Sequence, residues 1–454
     1  MQIVLFLISL ILYIFSPVHY SASFCVAVAS IFIFQTVPFV IKKSDGNFVN
    51  FYSLFFFSFL FVNFFYPTVL YPIDPKFFSV FAYPFNEAYI NKGTALAQLS
   101  ASSFITGASF VKVRTKNIKL NDDLRYYFSH YKATILTLIL FLLFIVTVGR
   151  DFISGNFTGQ STISFYILQL LTCSFILSPV IFFNSFKHQK KKLLFYSTAL
   201  VYVFLFLSIG DRGPALSLLL LLIGLYTFYV REISLKYLLI FGIVGFFSMH
   251  LIGLGRTAYS GAEGNVITRG IERTQSDEQF QSYLSVTQSF VVNTRNLYVG
   301  LEYVDENGIN FGTTSLLTAM LSSIPFAQSS IENLTGYDFQ TSPDFFTRLQ
   351  FGKNAPYGLG TNLVADVYLS FGLIGTIFLF ILFGRFVESY RRKAILNQSV
   401  YHAIVYFTLI SYSIYYPRTG LFMPLKFILW TMFIYYMLKQ LRILKPISHK
   451  SDIN

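Results

Sequence analysis

The sequence predicts an all-α, polytopic integral membrane protein with about twelve transmembrane helices. Three observations carry this. Hydrophobic residues make up 54% of the 454 residues, charged residues 12%, and the mean hydropathy is +0.58; a soluble chain carries about 25% charge. Apolar runs of about 20 residues, the length that crosses a bilayer as a helix, recur along most of the chain. Lysines and arginines gather between those runs, as topology requires.

The spans lie near 2–18, 21–41, 49–71, 94–111, 133–149, 162–185, 193–210, 214–230, 237–254, 361–385, 399–416 and 420–438. No Lys or Arg precedes Lys42, so the first run lacks the basic start of a cleaved signal peptide and reads as a short, retained span. Cys25 and Cys173 each sit inside an apolar run, as small hydrophobes rather than a disulfide or metal pair. No internal repeat or separate soluble domain is visible. Residues 1–454 read as a single transmembrane domain, with 255–360 as one large loop within it.

Basic residues set the orientation. Of the 34 Lys and Arg, 22 fall in alternate loops and the C-terminal tail, which puts those loops and both termini in the cytoplasm. The net charge of +13 is therefore mostly a topology signal, and with no basic soluble domain it points to no nucleic-acid partner. The opposite, periplasmic face holds 15 of the 21 acids, and eight of its twelve basic residues are Arg, against a Lys majority inside. Topology asks only for positive charge. A bias toward the planar, bidentate guanidinium suggests oxyanion binding.

Arg212 lies in "GDRGPALSLLLLL", where Asp211 and Arg212 separate two apolar runs, Gly213 allows a tight turn and Pro214 suits the first position of the next helix. Arg212 beside a helix N-terminus makes an anion site. Arg256 follows the ninth span in "HLIGLGRTAYSG", with His250 six residues earlier. Arg418 sits in the short reversal "YYPRTGLFMPLKF", and Lys426 is expected about two turns into the span that follows. In the large loop, Arg269 and Arg273 are four apart, on one helix face, with Glu272 between them. Two further loop segments, "QSYLSVTQSFVVN" and "TSLLTAMLSSIPFA", are apolar but too short to span, and read as helices in or near the outer interface. Arg348 precedes "APYGLGTNLVADVYLSFGLIG", whose Asp366 enters a span and needs a partner or a task. The six histidines show no metal-ligand spacing, and no Walker loop or nucleophile elbow is present.

The Gly210-Asp211-Arg212-Gly213 turn, the large outer loop, the segment carrying Asp366, Tyr368, Phe371 and Gly372, and the late "YPRTGLF" turn together resemble the Wzy-type oligosaccharide repeat-unit polymerases of bacterial inner membranes, which build O-antigen, common-antigen or capsule chains. The resemblance covers residues from about 195 to 440. It implies a glycosyltransferase without metal, nucleotide or other cofactor, working on the periplasmic side on undecaprenyl-pyrophosphate-linked oligosaccharides, among membrane lipids and with a chain-length regulator protein as partner. Arg212, Arg256 and Arg418 would then stabilise the pyrophosphate charge. His250, Asp211, Glu272 and Asp366 are the candidate bases. Arg269, Arg273, Arg348, Lys426 and Tyr368 would bind substrate. An O-antigen ligase acting on lipid A-core would share this chemistry. A flippase would bind the same lipid, but would show broken helices or symmetric halves. An acyltransferase would need a nucleophile or base in a tighter setting than His250.

Overall fold

The computed structural model describes residues 2–44, 46–111, 129–153, 162–186, 190–255, 266–276, 283–355, 357–397 and 399–444. About 80% of the described residues are helical, and they contain no strand. All twelve expected segments are helices: α1 (Gln2–Ile14), α2 (Ala22–Ser44), α3 (Phe51–Ile73), α4 (Tyr89–Ser109), α5 (Tyr131–Ile153), α6 (Thr162–Asn184), α7 (Lys192–Ile209), α8 (Arg212–Tyr229), α9 (Leu235–Leu254), α15 (Leu363–Asn397), α16 (Val400–Tyr412) and α17 (Leu425–Gln440). Between α9 and α15 lie shorter helices: α10 (Val266–Ser276), α11 (Thr294–Asn307), α12 (residues 313–322), α13 (Ala327–Thr335) and α14 (Ser342–Phe351).

Eight of the described helices are long and apolar enough to cross a membrane, fewer than the twelve expected. The shortfall has physical reasons. α1 and α16 are apolar but only 13 residues long, and α17 has 16. α4 has 21 residues but is rich in Ser, Thr, Gly and Gln, because protein rather than lipid surrounds it: every residue from Gly93 to Ala108 is buried. Its hydroxyls turn back onto carbonyls four residues earlier, as Thr94 to Ile90, Ser100 to Leu96 and Ser103 to Leu99. Its amide joins a ladder in which Gln98 donates to Ser9 and Gln35, and Gln35 donates to Ser102. Water is excluded there, so polar groups must find partners within the protein.

The chain divides into two compact units. One holds Met1–Lys112, Thr287–Ser389 and Tyr412–Lys426. In it, α4 and α15 cross backbone to backbone: a Cβ on Gly107 would fall 1.9 Å from the Ile381 carbonyl oxygen, and one on Gly384 1.9 Å from that of Phe104. Small residues permit such approach where lipid supplies no hydrophobic drive. Beside the crossing, Phe51, Phe55, Phe104, Phe383 and Tyr416 interlock as stacked and edge-on rings. At the far end of α15, buried Glu388 accepts from Lys43 at 2.6 Å and from Tyr52 at 2.7 Å, tying α15 to α2 and α3.

The other unit holds Val113–Val286, Tyr390–Ser411 and Phe427–Asn454. α5 to α8 pack on aromatic pairs such as Phe175–Tyr202 at 4.1 Å and Phe182–Phe195 at 4.0 Å. α9 is mostly exposed, as a lipid-facing helix is, and joins α10 through glycines. A Cβ on Gly255 would meet the Val266 carbonyl oxygen at 1.7 Å, and one on Gly270 that of Leu251 at 2.3 Å.

Candidate active site

In the first unit the late turn is held from three sides. Tyr416, Pro417 and Arg418 form one 3₁₀ turn, with the Tyr416 ring inside the aromatic cluster and its hydroxyl donating to the Leu421 carbonyl at 2.8 Å. Asp366, fully buried in the first turn of α15, accepts the Leu421 N–H on Oδ2 at 2.9 Å. Gly420 lies against that carboxylate; its Cβ would stand 3.1 Å from Oδ2. Asp366 thus has its task, fastening the turn that carries Arg418.

Arg418 Nε donates to Asn293 Oδ1 at 3.2 Å, and its guanidinium lies 5.8 Å from the centroid of the Phe290 ring. Asn293 in turn donates to the Leu359 carbonyl at 3.1 Å, and Asn296 donates to the carbonyls of Leu359 and Gly360. Gly360 takes a φ of +68°, and a Cβ there would meet Asn293 Nδ2 at 2.5 Å, so both backbone and space demand glycine. The glycine-rich stretch before α15 is therefore the strip on which Asn293 and Arg418 are seated. Asn362 finishes it by capping α15 through the Val364 N–H at 2.9 Å and donating to Asn63, which lies in a π-helical stretch of α3, at 2.9 Å. Such stretches interrupt helices frequently at functional sites.

Other expected residues of this unit have settings of their own. The Tyr368 hydroxyl shares a hydrogen bond with Tyr13 at 3.2 Å. Arg348 pairs with Asp338, holding its carboxyl below the usual carboxylate range. Lys426 belongs to the first turn of α17, which starts at Leu425, rather than two turns into the span. Arg295, which sits in no glycine-flanked turn and is therefore expected from the sequence to tolerate Lys, is 2% exposed and donates to the carbonyls of Tyr83 and Pro84 and to Gln350. Burial lowers its pKa from the ordinary guanidinium value. Asn293 was missed: an asparagine in an apolar stretch carries no spacing signal.

In the second unit the C-terminal end of α9 gathers basic groups. α8 begins at Arg212, with Asp211 as its N-cap accepting the Gly213 N–H at 3.3 Å; Pro214 is thus the third helical residue, not the first, and still in the turn where its missing N–H costs little. Arg212 reaches away from its own helix and donates to the Met249 carbonyl at 2.7 Å. Gly253 makes room for it, since a Cβ there would lie 2.4 Å from Nη1. Arg273 of α10 donates to the Leu254 carbonyl at 3.3 Å, and Arg269 Nε is buried with no partner among the described residues. The last carbonyls of a helix carry partial negative charge and draw cations. His250, 8% exposed, stands next to Met249, with Nε2 3.4 Å from the Ser285 hydroxyl. Glu272 is exposed on α10. Arg256 lies outside the described residues. Among the described residues no group of three or more His, Cys, Asp or Glu is placed to hold a metal.

So Arg212, Arg273, Arg269 and His250 share one helix end, and Asp366 and Arg418 share one turn. Both arrangements are guanidinium groups set at glycine-lined backbone beside apolar helices. No curated protein and no solved structure matches the chain. A family model described as O-antigen polysaccharide polymerase Wzy matches residues 1–445, reaching well beyond the region that carries the resemblance in the sequence. The chain belongs to the O-antigen polysaccharide polymerase Wzy family, as a multi-pass inner-membrane glycosyltransferase-type polymerase acting on lipid-linked oligosaccharides.

Proposed function

We propose that the protein transfers the growing glycan from undecaprenyl pyrophosphate to the non-reducing end of another undecaprenyl-pyrophosphate-linked unit, on the periplasmic side, without metal or nucleotide. The bond from the anomeric carbon to the pyrophosphate oxygen breaks, and the lipid pyrophosphate leaves with the electron pair. A new bond forms from that carbon to an acceptor hydroxyl, whose proton passes to a base. The leaving group is an oxyanion at membrane level. The observation that carries the reading is the gathering of Arg212 and Arg273 at the end of α9, a helix that is otherwise lipid-exposed. Fixed guanidinium groups in a low-dielectric setting stabilise developing charge without reorganisation.

In this reading Arg212 and Arg256 bear on the pyrophosphate, and Arg418 does the same work from its own turn. Arg269, Arg273, Arg348, Lys426 and Tyr368 contact substrate. Among the bases, His250 is favoured, since it neighbours the carbonyl that Arg212 holds, whereas Asp366 and Asp211 are engaged with Leu421 and Gly213. Glu272 is the alternative. Residues 1–454 work as one transmembrane domain, with 255–360 and the site periplasmic, both termini cytoplasmic, and a chain-length regulator as partner. The deciding experiment supplies purified protein in vesicles with lipid-linked repeat units alone. A glycan ladder supports the reading. Product only when lipid A-core is added would make it a ligase, and translocation with no new bond a flippase.

A further inference from the structure

Between Glu306 and Glu332 the chain contains no charged residue. This stretch does not lie flat on the outer loops. The Asn310 N–H donates to the Leu369 carbonyl at 3.0 Å, Ser315 shares a hydrogen bond with Ser370 at 2.8 Å, and the Phe371 ring sits where a Cβ of Gly312 would be. All three contacts cluster at a break in α15, where Gly372 takes φ +65° and ψ −166°. The break removes helical partners from nearby carbonyls, and Asn310 supplies one of them.

The break is deep. Arg385 is the first basic residue on the later part of α15. Counting back from it, a hydrocarbon core of about 30 Å takes about 20 helical residues, and the break then lies about 10 Å inside that core. A segment bonded there has entered the bilayer with it. Its polar side chains are suited to that place: Asn310 donates to Thr314, Thr318 to the Thr314 carbonyl, and Ser322 and Ser323 to that of Ala319. Its apolar side chains point outward instead. Phe311 is 80% exposed, Met320 55%, Ile324 61% and Phe326 58%, with Leu316 and Leu317 beside them. Phe311 and Phe326 bracket the segment with left-handed backbone, φ +54° and +62°. That conformation is costly for a bulky residue, and here both residues are more than half exposed. Just past the break, Ile374 and Phe378 of α15 are exposed in the same way.

We propose that residues 310–326 are a re-entrant element, keyed into the Gly372 break of α15, whose face of Phe311, Leu316, Leu317, Met320, Ile324 and Phe326 is sunk among the acyl chains of the leaflet where α15 begins. The occupant of that face is bulk membrane lipid. The claim concerns depth and does not depend on polymerisation or on which side is periplasmic.

The chain has a single tryptophan, Trp430, so depth can be read by fluorescence. In a Trp430→Phe background, Met320→Trp, Phe311→Trp and Glu306→Trp are reconstituted in phosphatidylcholine/phosphatidylglycerol vesicles, permeabilised so that both faces meet the solution. Dibrominated acyl chains should quench the tryptophans at 320 and 311 at least about twofold, and aqueous iodide should quench them less than about a tenth as well as the tryptophan at 306. Iodide quenching at 320 and 311 equal to that at 306, or emission indifferent to bromination at both, would overturn the proposal. Both substitutions put a large apolar ring where an exposed apolar side chain already stands, so the fold is kept.

Discussion

At the residue scale, the arginines separate into two kinds. Arg212 donates to the Met249 carbonyl and Arg418 to Asn293, each at a glycine-lined site, whereas Arg295 is enclosed by three acceptors. Lys keeps the charge and the topology signal, but loses the fork that engages two oxygens at once. We expect Arg212→Lys and Arg418→Lys to lower polymerisation about 30- to 1,000-fold, equivalent to roughly 2–4 kcal/mol of transition-state stabilisation, with the protein still accumulating in membranes. Ladder length against extracted protein measures this, and normal ladders would make these residues anchors only. Arg295→Lys should behave differently. It leaves buried acceptors unpaired and should cost about 1–3 kcal/mol of stability, read as a fall in melting temperature and in protein level. Arg295 looked from the sequence like a residue whose exchange for Lys would be silent; only its burial argues otherwise.

At the scale of elements, α9 carries its own control. Gly255 and Gly253 are in close contact with Val266 and Arg212, while nothing lies within 4 Å of where a Cβ would stand on Gly242 or Gly245. Gly255→Val must push α10 away from α9 and with it the Arg273 contact to Leu254. We expect a loss of about 1–3 kcal/mol in stability together with loss of chain growth. Gly242→Ala and Gly245→Ala meet open space and should be neutral, or stabilising by up to about 1 kcal/mol through helix propensity. Thermal unfolding of the three purified variants decides between contact and composition: equal losses at all three positions would refute the packing argument.

At the scale of the whole molecule, two expectations follow from the proposed chemistry. Because guanidinium groups carry the charge, chain growth from purified lipid-linked units should be unaffected by EDTA. Activity lost on chelation and restored by Mg²⁺ or Mn²⁺ would refute the metal-free mechanism. Reporter fusions should find both termini and the Lys187–Lys192 loop in the cytoplasm and the hydrophilic parts of 255–360 outside, since the basic residues between spans dictate it. A tail reporting from the periplasm would invert the orientation and move the site with it.

Much of this was legible in the order of residues alone. Apolar run length is a local property set by bilayer thickness, so all twelve helical segments could be read directly, and so could the Arg-bearing turns at Arg212 and Arg418. The family was legible too, through the turns and the segment around Asp366, and the match extends it over residues 1–445. What the order of residues left open depends on who faces whom. Ser and Gln lower the hydropathy of α4 because it is enclosed by protein, a fact about its neighbours. Nothing in the sequence shows that the Asp366 carboxylate meets the Leu421 N–H, or that Arg212, read as an anion site at its own helix N-terminus, reaches Met249 on another helix. Asn293, Arg295 and the seating of residues 310–326 at Gly372 join positions dozens to hundreds of residues apart. Periodicity records one element at a time, so it reports the helices and their exposure to lipid. Hydrogen-bond partners across elements are decided only once the helices pack, and there the roles of these polar residues are assigned.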